Sequence, residues 1–287
     1  MLLGTRSQNN KVKQNLKPEK IPPMQTIDKF NSNLGTAILI VGGAGVGKTT
    51  LAMRLTNGIY VFVADLNFQS GLDYLKKIHE ESNVVGFDTA SPDENGKIIV
   101  PNMRYTRMLD KITAAMADPK VNAIMLDSTT FIEDIFKAKI CSATTEAAIK
   151  LSGYDHWGSL VLVWKSTIMQ IRQSGKLLIM VAHEGKERDE SDSIYKYQIA
   201  VDGSIRDKFP ALFSDVWRCE IAESLGTHTW NVRMLGNTRQ EHLKRSTRFS
   251  DLPAVTTQDN LAKLCKQRLS SPSTPAATQT LSVLPKT

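Results

Sequence analysis

The sequence has little cysteine, no long apolar run and no internal repeat, and each absence narrows what the chain can be. Its 287 residues hold three cysteines, Cys141, Cys219 and Cys265. They lie far apart, without the short spacings that metal ligation uses, and are too few to staple a fold. They are expected to be buried thiols in a reducing compartment. No stretch approaches the roughly 20 apolar residues that cross a bilayer as a helix, so no membrane partner is expected. Met1-Leu2-Leu3-Gly4 turns polar and basic at once, unlike a secretory leader, and a cytoplasmic location is expected.

What is present is ordinary in bulk and uneven in detail. The composition is 41% hydrophobic and 23% charged, which suits a globular protein with a sizeable core. The net charge of +7 is placed at the edges. Residues 1–30 carry six Lys/Arg against two acids, and residues 231–250 carry five against one. Clustered positive charge of this kind favours a polyanion partner, because binding a phosphate backbone releases counterions. A solvated basic face is the plainer alternative.

Three segments follow from texture. Residues 1–30, rich in Asn, Gln, Lys and Pro, read as a flexible basic arm. Residues 31–250 read as one α/β domain, and residues 251–287 as a tail that is mostly disordered apart from a short amphipathic piece at Leu261–Leu264. Inside the domain, the apolar runs 37–41, 60–64, 123–126 and 176–182 suit buried strands, and helical periodicity separates them. That alternation predicts a mostly parallel sheet of βαβ units. Residues 86–101 read as a loop, 131–151 and 156–173 as helices, and Glu184–Asp192 as a charged stretch. Val216–Ile221 and Thr227–Leu235, joined at Ser224-Leu225-Gly226, read as an antiparallel hairpin on the sheet edge. Trp157, Trp164, Trp217 and Trp230 read as core or hairpin packing, with base stacking by Trp230 as the alternative.

The first strand runs into Gly42-Gly43-Ala44-Gly45-Val46-Gly47-Lys48-Thr49, and a helix through Thr50 follows. This is the phosphate-binding loop pattern in its required strand–turn–helix setting. Glycines let backbone N–H groups turn inward around phosphate oxygens. Lys48 is placed to reach the terminal phosphates of ATP, and the Thr49 hydroxyl to sit on Mg2+. Asp127, closing the third apolar run, is the second expected magnesium ligand. The next residue is Ser128 where many ATPases carry a Glu, so a catalytic base must come from elsewhere. Asp65 and Glu184 are both candidates, and His183 is placed at a strand end to sense the terminal phosphate. No Asn-Lys-x-Asp run reads guanine, which argues against a GTPase.

In order and content, VGGAGVGKTTLA, IMLDS, LIMVAHE, FPALFSDVWR and the late basic cluster resemble RecA-like P-loop ATPases of bacteriophages, and more closely the phage Sak-type single-strand annealing ATPases. The resemblance covers roughly residues 36–250. It implies a RecA-like three-layer α/β/α P-loop NTPase and ATP hydrolysis coupled to single-stranded DNA in recombination or annealing. It also implies a homo-oligomeric ring or filament, a single-strand-binding protein as further partner, and the cytoplasm of a bacterial host. By position, Lys244, Arg245 and Arg248 fall where relatives carry an arginine finger or DNA contacts. One departure stands out: the position that usually holds a catalytic Glu after the second strand is Asn67. A nucleotide-gated DNA-binding module with negligible turnover, or a replicative helicase or its loader, remain alternatives on the same core.

Overall fold

Alternation within the first apolar run sets the architecture. In β1 (Ala37–Gly42), Leu39 and Val41 point to one face, Ile38 and Ile40 to the other, and all four are fully buried. A strand apolar on both faces needs a covering layer on each. The computed structural model describes residues 35–64, 68–188, 195–237 and 239–269, and supplies both layers.

Among the described residues the sheet has nine strands, eight of them ordered β3-β2-β4-β5-β1-β7-β8-β9 and the ninth, β6, paired with β5 off this path. They are β2 (Ile59–Val63), β3 (Val84–Thr89), β4 (Ala123–Asp127), β5 (Leu177–Arg188), β6 (Tyr195–Ile199), β7 (Asp215–Ser224), β8 (Thr227–Arg233) and β9 (Val255–Thr257). From β3 to β7 every pairing is parallel, while β8 and β9 continue antiparallel. The expected three-layer α/β/α arrangement with a mostly parallel sheet and C-terminal antiparallel strands is therefore present.

One face is covered by α3 (Pro101–Ala117), α4 (Thr129–Ile140) and α5 (Gly153–Gln173), through buried residues such as Met108, Ile112, Phe136, Trp164 and Ile168. Edge-to-face ring contacts run Phe136–Trp164–Phe209 at 4.7 and 5.0 Å. On the other face lie α1 (Lys48–Ala52), α2 (Phe68–Lys77) and α6 (Gln258–Leu269), burying Leu51, Met53, Leu75, Leu261 and Cys265. No helix among the described residues is long and apolar enough to cross a membrane.

Several expectations are corrected. Residues 86–89, read as the start of a loop, belong instead to edge strand β3 (Val84–Thr89). Its pattern alternates between half-buried and exposed, because an edge strand needs no continuous apolar run. The helix expected over 131–151 ends at Ile140, where Ser142 takes a positive φ of 53°. The charged stretch continues β5 as far as Arg188, pairing antiparallel with β6 so that Glu187 faces Lys196; residues 189–192 lie outside the described residues. The hairpin closes on Leu225 and Gly226, both at positive φ, as a two-residue turn requires. Residues 255–269, expected to be mostly tail, form β9 and α6, whose apolar face is in the core. The arm at 1–30 and residues 270–287 lie outside the described residues.

Candidate functional site

The sheet delivers the end of β1, and with it the glycine-rich loop, to the same edge as the end of β4 and the middle of β5. Gly42 is level with His183 of β5, and Asp127 of β4 is level with Val181. At Gly42 a Cβ would lie 2.6 Å from the Cys219 carbonyl oxygen, so the turn at the end of β1 has room for hydrogen alone. Gly45 and Gly47 take φ of 72° and 84°, left-handed values that side chains oppose. Above Gly43 and Gly45 the space is open, with nothing within 4 Å of a built Cβ. The loop is thus closed on its protein side and vacant on the side a phosphate would approach.

Lys48 is buried to 6% exposure, and its Nζ donates to the Gly43 carbonyl at 2.6 Å, folding the side chain back over the loop. Thr49 Oγ1 donates to Asp127 Oδ2 at 2.8 Å across 78 residues of sequence. One hydroxyl and one carboxylate within hydrogen-bond distance, beside an open glycine cradle, are the hard oxygen donors that magnesium prefers. The residues present therefore fit ATP and magnesium. Because α1 is only five residues long, its dipole is short, and the loop's own N–H groups carry most of the anion attraction.

The other sequence candidates separate. His183 is half-buried and lies within β5, which continues to Arg188, so it does not end the strand as expected. Glu184 does not present an open carboxylate: its side chain is 2% exposed, accepts from Arg218 Nε at 2.6 Å and lies 3.3 Å from His242 Nε2. A buried carboxylate engaged by a guanidinium is not free to reach a water, so the base role expected of Glu184 is not supported by this geometry. Asp65 and Asn67 lie outside the described residues. Of the basic trio, Lys244 is backbone-paired with Val216, and burial pushes its ammonium pKa down. Arg245 donates to the Leu252 carbonyl, and only Arg248 is exposed.

Two residues escaped the motif search. Gln258, at the start of α6, is buried and donates Nε2 to the Val46 carbonyl at 2.8 Å, bracing the loop from behind. Arg54, also buried, pairs with Glu80 at 2.8 Å and Asp259 at 2.7 Å. Burial works against the Arg54 charge, and the two carboxylates outweigh it, so its pKa rises. Neither carries a sequence signal, since Gln258 and Val46 are 212 residues apart.

Residues 34–250 match the model of a family described as AAA domain. No curated protein sequence matches the chain. Among solved structures, flagellar accessory protein FlaH from Methanocaldococcus jannaschii is similar at 12% identity, covering 75% of this chain and 83% of that one with a TM-score of 0.36. A KaiC-like protein from Pyrococcus horikoshii is similar at 14% identity, covering 74% and 84% with a TM-score of 0.39.

Proposed function

We propose that this chain, which belongs to the AAA domain family, is an ATPase whose turnover is coupled to single-stranded DNA in recombination or strand annealing. The observation that carries the nucleotide half is the 2.8 Å contact between Thr49 and Asp127 beside an open glycine cradle. In this reading the loop N–H groups hold the phosphates, and Lys48 leaves Gly43 to place its charge on the terminal phosphoryl oxygens. Thr49 and Asp127 hold magnesium, which when bound withdraws charge from those oxygens. His183 accepts or donates a hydrogen bond at the terminal phosphate, reporting its presence to β5.

The DNA half is supported by charge. A groove of about 570 Å³ is lined by Lys196, Arg206, Arg239 and Lys244 against two acids, Asp207 and Glu241. The depressed Lys244 pKa marks a cation whose burial outweighs the pull of Asp215, a situation an incoming phosphate relieves. Arg248, exposed near this segment, is the member of the basic trio best placed to act outside its own chain, in a homo-oligomer or on DNA. A second reading, nucleotide-gated DNA binding with negligible turnover, is favoured by the ion-paired state of Glu184. Phosphate release from ATP and Mg2+, measured with and without single-stranded DNA, separates the two. Stimulated release supports the first reading, and DNA binding that depends on ATP without release supports the second. Absence of both refutes each.

A further inference from the structure

We propose that the cavity beside the phosphate loop is a nucleobase site in which Trp230 is the stacking platform. This inference rests on the nucleotide-binding reading of the loop and goes on to place the other end of the ligand. Sheet order gives the direction. The metal-binding end, at Asp127, lies on the β5–β4 side of β1, so a triphosphate lying along the loop carries its nucleoside toward β7, β8 and β9. There a cavity of about 430 Å³ opens, lined by Gly45 and Gly47 of the loop and by Thr50 of α1. That volume is within the roughly 300–1,000 Å³ of small-molecule sites.

The walls suit an aromatic ring. Trp230 on β8 is 46% exposed at the cavity and meets His228 edge-on, with ring centroids 6.4 Å apart. Tyr74 of α2, 41% exposed, lines the same space. The remaining tryptophans are committed elsewhere: Trp164 and Trp217 are fully buried, and Trp157 packs on Gly203. An indole left open beside a phosphate loop offers a π-face to any base, which is how sequence-tolerant stacking works. Gln258 and Asp259 close the far side, and both are already oriented, the first by Val46 and the second by Arg54. These two residues lie beyond residue 250, outside the span matched to the family.

The test titrates ATP and inorganic tripolyphosphate, each with Mg2+, into wild type, Trp230→Ala and Trp230→Phe, with thermal melts confirming the fold. Trp230→Ala is expected to weaken ATP by about 5- to 150-fold, the range of one lost base stack, and to leave tripolyphosphate unchanged. Trp230→Phe is expected to recover most of the loss. ATP affinity equal to wild type in Trp230→Ala, or equal weakening of both ligands, overturns the nucleobase site while leaving the phosphate loop standing. Wild type that binds neither ligand overturns the loop reading first, and the nucleobase site with it.

Discussion

The two flanks of β1 are built by different means. On one side β4, β2 and β5 as far as Ala182 run parallel and are almost wholly apolar, with buried Leu178, Ile179, Ile124 and Val61 carrying the sheet. On the other, β7 turns back through β8 and β9, and ion pairs add to buried Trp217, Cys219 and Val232. Arg218 and Arg233 share Glu220 there, and Arg218 lies over the Tyr197 ring at 4.3 Å. The flanks meet where β1 stops. Val41 is level with Arg218 on one side and Gly42 with His183 on the other, and the Arg218–Glu184 pair ties the two neighbouring strands beyond the strand that ends between them. The parallel flank positions the groups that would hold phosphate and metal. The antiparallel flank, with α6, supplies the brace and the cavity.

Breaking the tie is expected to give the largest effect. Arg218→Ala leaves Glu184 buried without its cation and is predicted to destabilise the fold by about 3–5 kcal/mol in urea unfolding. Replacing both with Met should recover most of that, since a buried pair exchanged for apolar side chains is often near neutral. If the single variant is as stable as wild type, the tie between flanks is decorative.

On the parallel flank, Asp127→Asn keeps an oxygen for the Thr49 hydroxyl and removes the charge. Phosphate release is predicted to fall by about 100-fold, with a change in stability too small to explain it. Release at the wild-type rate would remove Asp127 from the metal site. Gly47→Ala probes the junction between the two flanks. Its φ of 84° and the 2.7 Å approach of a Cβ to Gln258 Oε1 both oppose a side chain. A loss of about 1–3 kcal/mol is expected, of which Gln258→Ala should relieve the steric part and leave the backbone part. No relief in the double variant would show that Gln258 does not press on the loop.

The contrast also explains what was legible in the sequence. The phosphate loop is a run of eight residues, and the buried strands are contiguous apolar runs, so β1, β2, β4 and β5 could be read directly. Asp127 was legible because it ends such a run. The rest depends on contacts between distant residues. Edge strand β3 has no apolar run to announce it, and β6 is recognised only through its pairing with the charged end of β5, where Glu187 is level with Lys196. The role of Glu184 could not be read without Arg218, 34 residues later, which turns a candidate base into half of an ion pair. The amphipathic piece at Leu261–Leu264, set in a tail expected to be mostly disordered, is part of a helix whose Leu261 and Cys265 are buried under the sheet.

The central claim is that the Gly42–Thr49 loop holds a magnesium-bound triphosphate, and calorimetric titration of Mg2+ and ATP into wild type and Lys48→Ala tests it most directly. The account predicts one ATP per wild-type chain and an affinity at least about 100-fold weaker in the variant, with the melting temperature of the unliganded protein little changed. Equal affinity in the two proteins would contradict it.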